Sequence, residues 1–138
     1  MSIVWLFTLL HAAAAQPQTI PFATVARGHH GGIEESREAV VRTESEWKAL
    51  WKENAADQPE PSVDFAKSIV AGVFLGTRST GGYAVEITAV ERQGADVVVR
   101  YRETKPDPSM MVTQVLSSPF YIVSFEKTTG EVKFQKAR

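Results

Sequence analysis

Eight consecutive residues, Gly76-Thr77-Arg78-Ser79-Thr80-Gly81-Gly82-Tyr83, combine glycines, small hydroxyl side chains, one guanidinium and one phenol. Glycine permits positive φ and would let a partner's backbone approach closely. Arginine and tyrosine are residue types enriched among interface anchors. This composition suits recognition and offers no nucleophile with its base. Within it, Gly81 and Gly82 would set the backbone geometry and Tyr83 would supply an apolar anchor. Arg78 would make a charge-assisted contact, flanked by the hydroxyls of Ser79 and Thr80. A second candidate surface is the proline-bracketed stretch Lys105-Pro106-Asp107-Pro108-Ser109-Met110-Met111. There Pro106 and Pro108 stiffen the chain, while Met110 and Met111 offer adaptable apolar contacts. It would extend the first surface if both lie at the same end of the fold.

Other chemistries find little to build on. The three histidines are His11, His29 and His30, and the last two sit in a glycine turn, Gly28-His29-His30-Gly31-Gly32. A zinc site wants three or four ligands in fixed geometry, and adjacent histidines in a turn are expected to point apart. No Gly-x-Ser-x-Gly occurs, and any Ser–His pair in the mature chain would have to pass through that turn. The glycine-rich segment also lacks the Gly-Lys-Ser/Thr that opens a helix in a phosphate loop. Carboxylates such as Glu34, Glu35, Glu44, Glu46, Glu86, Glu91, Asp96 and Glu103 fall mostly on expected solvent faces. The reading is therefore non-enzymatic, without metal or cofactor. A net charge of −1 gives no basic stripe for nucleic acid. There is no cysteine, hence no disulfide framework, thiolate site or lipidation cysteine.

The chain has 138 residues, 43% hydrophobic and 22% charged, as expected of one folded domain. Its start differs from the rest. Residues 3–10 form an apolar run too short to span a bilayer, followed by Ala12-Ala13-Ala14-Ala15. Residues 1–15 are expected to be a cleaved signal, leaving a single β domain over 16–138 that is exported to the periplasm or the exterior and has no transmembrane span.

Strands are expected at Ile20–Arg27 (with Pro21 at an edge or at the strand's start), Glu38–Arg42, Ser68–Leu75, Tyr83–Arg92, Asp96–Glu103, Met110–Leu116, Phe120–Glu126 and Val132–Phe134. Thr43-Glu44-Ser45-Glu46 reads as a capping box opening one amphipathic helix over about 44–55. Trp47, Leu50 and Trp51 share one face of it, so the two indoles are expected in the core, with ligand stacking as the rival role. Asp57-Gln58-Pro59-Glu60-Pro61 ends the helix. Short strands punctuated by Gly and Pro every ten residues or so predict a mostly-β fold: an antiparallel sandwich or barrel-like domain whose helix packs over one opening or face.

Three stretches carry a resemblance. Val73 to Ile87, Val99-Arg100-Tyr101-Arg102-Glu103-Thr104-Lys105-Pro106, and Val112 to Phe120 with its Gln114 and Pro119 resemble the PrcB C-terminal domain family over about residues 65–135. The Trp47–Trp51 segment is similar to one that precedes this domain in other bacterial proteins. The resemblance implies an exported bacterial accessory protein. The family's namesake is a non-proteolytic subunit that stabilises a secreted subtilisin-like protease complex; it is a lipoprotein, and the missing cysteine departs from that. A fainter likeness links Ser79-Thr80-Gly81-Gly82-Tyr83 to the threonine-glycine-aromatic loop of chagasin-like inhibitors of papain-like cysteine proteases, although the Asn-Pro that precedes that loop is absent. Both likenesses imply a protein partner, a subtilisin-like or papain-like protease, that is stabilised or restrained. The alternative is an envelope β domain that binds a small molecule or glycan under the tryptophan helix.

Overall fold

The computed structural model describes residues 17–138; the expected signal segment lies outside them. Among the described residues eight strands and one helix succeed one another in chain order: β1 (Gln18–Thr19), β2 (Phe22–Gly28), β3 (Arg37–Val41), α1 (Glu44–Ala55), β4 (Ser68–Phe74), β5 (Ala84–Gln93), β6 (Asp96–Thr104), β7 (Phe120–Glu126) and β8 (Val132–Lys136). They form two four-stranded sheets, β1-β5-β6-β8 and β2-β7-β4-β3. The fold is mostly β and sandwich-like, and the two sheets do not close into a barrel. All pairings are antiparallel except β6–β8, which is parallel, so the last strand departs from a purely antiparallel arrangement.

Alternation explains which faces meet. Val85, Ile87, Val97, Val99 and Tyr101 of the first sheet bury against Ile69, Ala71, Val73, Tyr121, Val123 and Phe125 of the second. A bulge between Ile87 and Ala89 shifts the phase of β5, which lets Val90 re-enter the core. On the opposite, wet face, Arg102 pairs with Glu86 and Arg100 with Glu91 across β5 and β6.

The second sheet is covered on both sides, which accounts for the unbroken apolar run at Ile69–Leu75. Its outer face, through Val41, Val70, Phe74 and Ile122, receives Trp47, Leu50 and Trp51 of α1. Thr43 caps this helix, its hydroxyl oxygen accepting from Glu46 N–H. The Thr43 hydroxyl in turn donates to the Glu46 carboxylate at 2.9 Å. The indole N–H groups donate to the carbonyls of Pro61 and Gln58, both 2.9 Å away, so the proline loop that ends the helix also satisfies its buried donors. Both rings are buried in the core and are spent on packing.

Two strand expectations need correction. Ile20–Arg27 is not one strand: β1 and β2 belong to different sheets, and the chain crosses between them at Ile20-Pro21. Met110–Leu116 is not a strand at all. It has no ladder partner, and Met110, Met111, Val115 and Leu116 stand in solvent, so its apolar content does not fill a sheet face.

Candidate binding site

The Gly76–Tyr83 segment and the Lys105–Pro119 segment lie at the same end of the sandwich and are tied together. Gly81 N–H donates to Thr113 O at 2.9 Å. Arg78 and Ser117 exchange both backbone hydrogen bonds, at 2.7 and 3.0 Å, and the Ser117 hydroxyl donates to Thr80 O at 2.7 Å. Ser117 is buried by these contacts. Glycine is required twice here. Gly82 has φ +88°, and a Cβ there would lie 2.8 Å from both Pro106 Cβ and Val112 Cγ1. A Cβ on Gly81 would collide with Thr113 Oγ1. The two glycines thus let one loop pack flat on the other.

Arg78 is engaged within the chain. Its Nε and Nη2 donate to the two carboxylate oxygens of Glu103, at 3.0 and 3.1 Å, and its Nη1 donates to Leu75 O at 2.8 Å. The guanidinium also stands 5.9 Å from the Tyr83 ring centroid, within cation–π range. The Glu103 side chain is only 4% exposed and takes a second cation, Lys136 of β8, at 3.0 Å. The hydrogen bonds from Arg78 hold the Glu103 carboxyl below the usual glutamate value against the cost of burial, with Lys136 adding to the effect. The same pair raises Arg78 further. The contact expected of Arg78 toward a partner is therefore occupied by Glu103, and Arg78 positions the loop.

Beyond Thr104 the chain turns at Asp107, whose carboxylate accepts from the Ser109 hydroxyl (2.7 Å) and the Ser109 N–H (2.9 Å). These bonds, the hydroxyl's first, lower the Asp107 carboxyl below its ordinary value. The stretch after this turn is the largest departure from ordinary surface in the described residues. Met110 is 55% exposed, Met111 98%, Val115 61% and Leu116 63%. Among the described residues, these are the exposed large hydrophobic side chains, all within one seven-residue stretch. Of the residues expected to flank the loop, Pro106 packs on Gly82 together with Val112, while Met110 and Met111 follow further along the same segment in solvent. Val115 and Leu116, expected inside a strand, belong with them.

His29 and His30 also join this end, which residue types alone did not indicate. Ser118 N–H donates to His29 O at 2.7 Å and Gly31 N–H to Ser118 O at 3.0 Å, so the histidine turn is stitched to the far side of the segment that pairs with Arg78. The turn in turn sits on the end of α1, where Gly32 N–H donates to Asn54 O at 2.7 Å. One His29 ring nitrogen, Nδ1, lies 3.3 Å from Tyr83 O. A cleft of about 330 Å³ opens between the turn and the loop, lined by His29, His30, Gly81, Gly82, Tyr83, Thr113 and Ser117. Among the described residues no group of three or more His, Cys, Asp or Glu side chains gathers as a metal centre would need. No described helix is long and apolar enough to cross a membrane.

Residues 69–126, from β4 to the end of β7, match the family model described as PrcB C-terminal. Over that stretch the chain is similar to the PrcB C-terminal domain family. The matched stretch contains the Gly76–Tyr83 loop, the buried Glu103 and the whole exposed apolar segment. The helix and the histidine turn lie outside it. No curated protein and no solved structure matches the chain.

Proposed function

We propose that this protein is a non-catalytic, exported binding domain that docks onto a protease and stabilises or restrains it. The docking face is the loop end formed by Ser79–Tyr83 and Pro106–Leu116. The observation that carries this reading is the concentration of Met110, Met111, Val115 and Leu116 on one solvent-exposed segment braced against Gly81 and Gly82. A monomer gains nothing from such a patch, whereas a partner can bury it. At about 25 cal/mol per Å² of apolar surface, covering these side chains supplies a useful share of a binding energy. Methionine adapts to an imperfect fit. Support for a protease as the partner comes from the PrcB C-terminal match and the accessory role its resemblance implies.

Affinity capture from the native host's envelope and secreted fractions tests this reading, with the Gly82→Val variant run beside the wild type. The added Cβ meets Pro106 and Val112 at a positive φ, so it must part the two loops. A protease held by the wild type and released by the variant is the expected result. Recovery of the same proteins by both baits would remove this face from the account.

A further inference from the structure

The cleft beside the docking loop is more specific than an apolar patch. We propose that it is a side-chain pocket that admits one uncharged, apolar side chain of an extended segment of the partner. This deepens the docking role proposed above and rests on it. Size is the first reason: about 330 Å³ lies at the small end of ligand pockets, enough for a single leucine-sized or phenylalanine-sized group.

The lining is the second reason. It includes no Asp, Glu, Lys or Arg; the residues that line it are His29, His30, Gly81, Gly82, Tyr83, Thr113 and Ser117. Several of its polar atoms are already committed. Ser117 Oγ donates to Thr80 O, and His29 Nδ1 is paired with Tyr83 O. The cation beside Tyr83, Arg78, is bound to Glu103. A charged occupant would lose water without gaining a counter-ion, and an apolar one has no such loss.

Preorganisation is the third reason. Hydrogen bonds from Ser118 to His29, from Gly31 to Ser118, between Arg78 and Ser117, and from Gly81 to Thr113 fix both walls before anything binds. Little ordering cost then falls on association. The pocket is also continuous with the docking face. Thr113 lies between Met111 and Val115 in the same segment, and its carbonyl holds Gly81. A partner chain lying across the apolar segment would therefore meet Thr113, which is part of the pocket's lining.

The test needs no partner protein. The ¹⁵N-labelled protein is titrated with the N-acetyl amides of leucine, phenylalanine, aspartate and lysine, monitoring the backbone amides of Gly81, Gly82, Tyr83 and Thr113. Saturable shifts at these four positions with the leucine and phenylalanine amides, and none with the charged pair, are expected. Thr113→Lys, which places an ammonium at the rim from an exposed position, should weaken the leucine amide by about tenfold or more. Equal response to all four probes, or no saturable shift at these amides, would overturn the pocket. So would a Thr113→Lys variant, folded by its spectrum, that binds the leucine amide as the wild type does. Because these readouts involve no protease, failure here leaves the capture comparison with Gly82→Val to decide the docking role separately.

Discussion

Apolar side chains leave the space between the two sheets in two places, and the molecule treats them oppositely. On the outer face of the second sheet, Trp47, Leu50 and Trp51 cover Val41, Val70, Phe74 and Ile122, and even the indole N–H groups find carbonyls. At the loop end, Met110, Met111, Val115 and Leu116 cover nothing in the chain, while polar bonds around Arg78, Glu103, Thr113 and Ser117 hold their backbone in place. The first arrangement stabilises the fold. The second maintains a surface at no gain to the monomer. Truncating the first should therefore cost stability, and truncating the second should cost only association.

Trp47→Ala attacks the covered face directly. Loss of a fully buried indole is expected to destabilise the protein by about 4 kcal/mol, read as a large fall in the urea midpoint. A loss no larger than that of a surface substitution would break the contrast between the two regions.

Glu103→Gln attacks the brace beneath the exposed segment. It removes the charge that receives both Arg78 and Lys136 and should cost about 2 kcal/mol, the scale of hydrogen bonds to charged groups. Because the folded-state pKa of Glu103 is lowered, the wild-type carboxylate contributes stability that is present above the ordinary glutamate range and is lost as pH falls through the folded value. The stability gap between wild type and Glu103→Gln should therefore be constant near neutrality and shrink on acidification below that range. A gap that widens in acid would contradict the pairing.

Thr43→Ala sharpens the comparison from the helix side. Loss of the N-cap acceptor should cost about 1 kcal/mol and leave the Gly81 and Thr113 amide resonances in place. Movement of those resonances would mean that the helix and the loop end are not independent.

The folding half of this comparison was legible in the sequence. The capping residues Thr43 and Glu46, the Trp47–Leu50–Trp51 spacing and the two-residue alternation of β5 and β6 are local signals, and local signals fix the type and facing of an element. The site was legible in part. Gly81 and Gly82 announced a close approach, expected from a partner's backbone, but the groups that lie against them are the chain's own Thr113, Pro106 and Val112. Its remaining features depend on residues far apart in the chain. Arg78 meets Glu103 across twenty-five positions, and His29 meets Tyr83 across fifty-four. The parallel β6–β8 pairing is likewise a matter of topology. Met110–Leu116 misled for a different reason: apolar residues near a strand-like spacing read as a buried face, yet no sheet edge receives them. An apolar segment without a partner in its own chain is what a docking surface looks like at the level of residue types.

The most direct test of the account uses the substitution that should have the smallest effect on folding. Met111→Asp changes a side chain that is 98% exposed, so its stability should stay within about 0.5 kcal/mol of wild type. Its affinity for the protease recovered by capture is then compared with that of the wild type, by surface-immobilised binding at matched ionic strength. The account predicts unchanged unfolding and binding weakened by about tenfold or more. Undiminished affinity in this folded variant would contradict the claim that the exposed apolar segment is the docking surface.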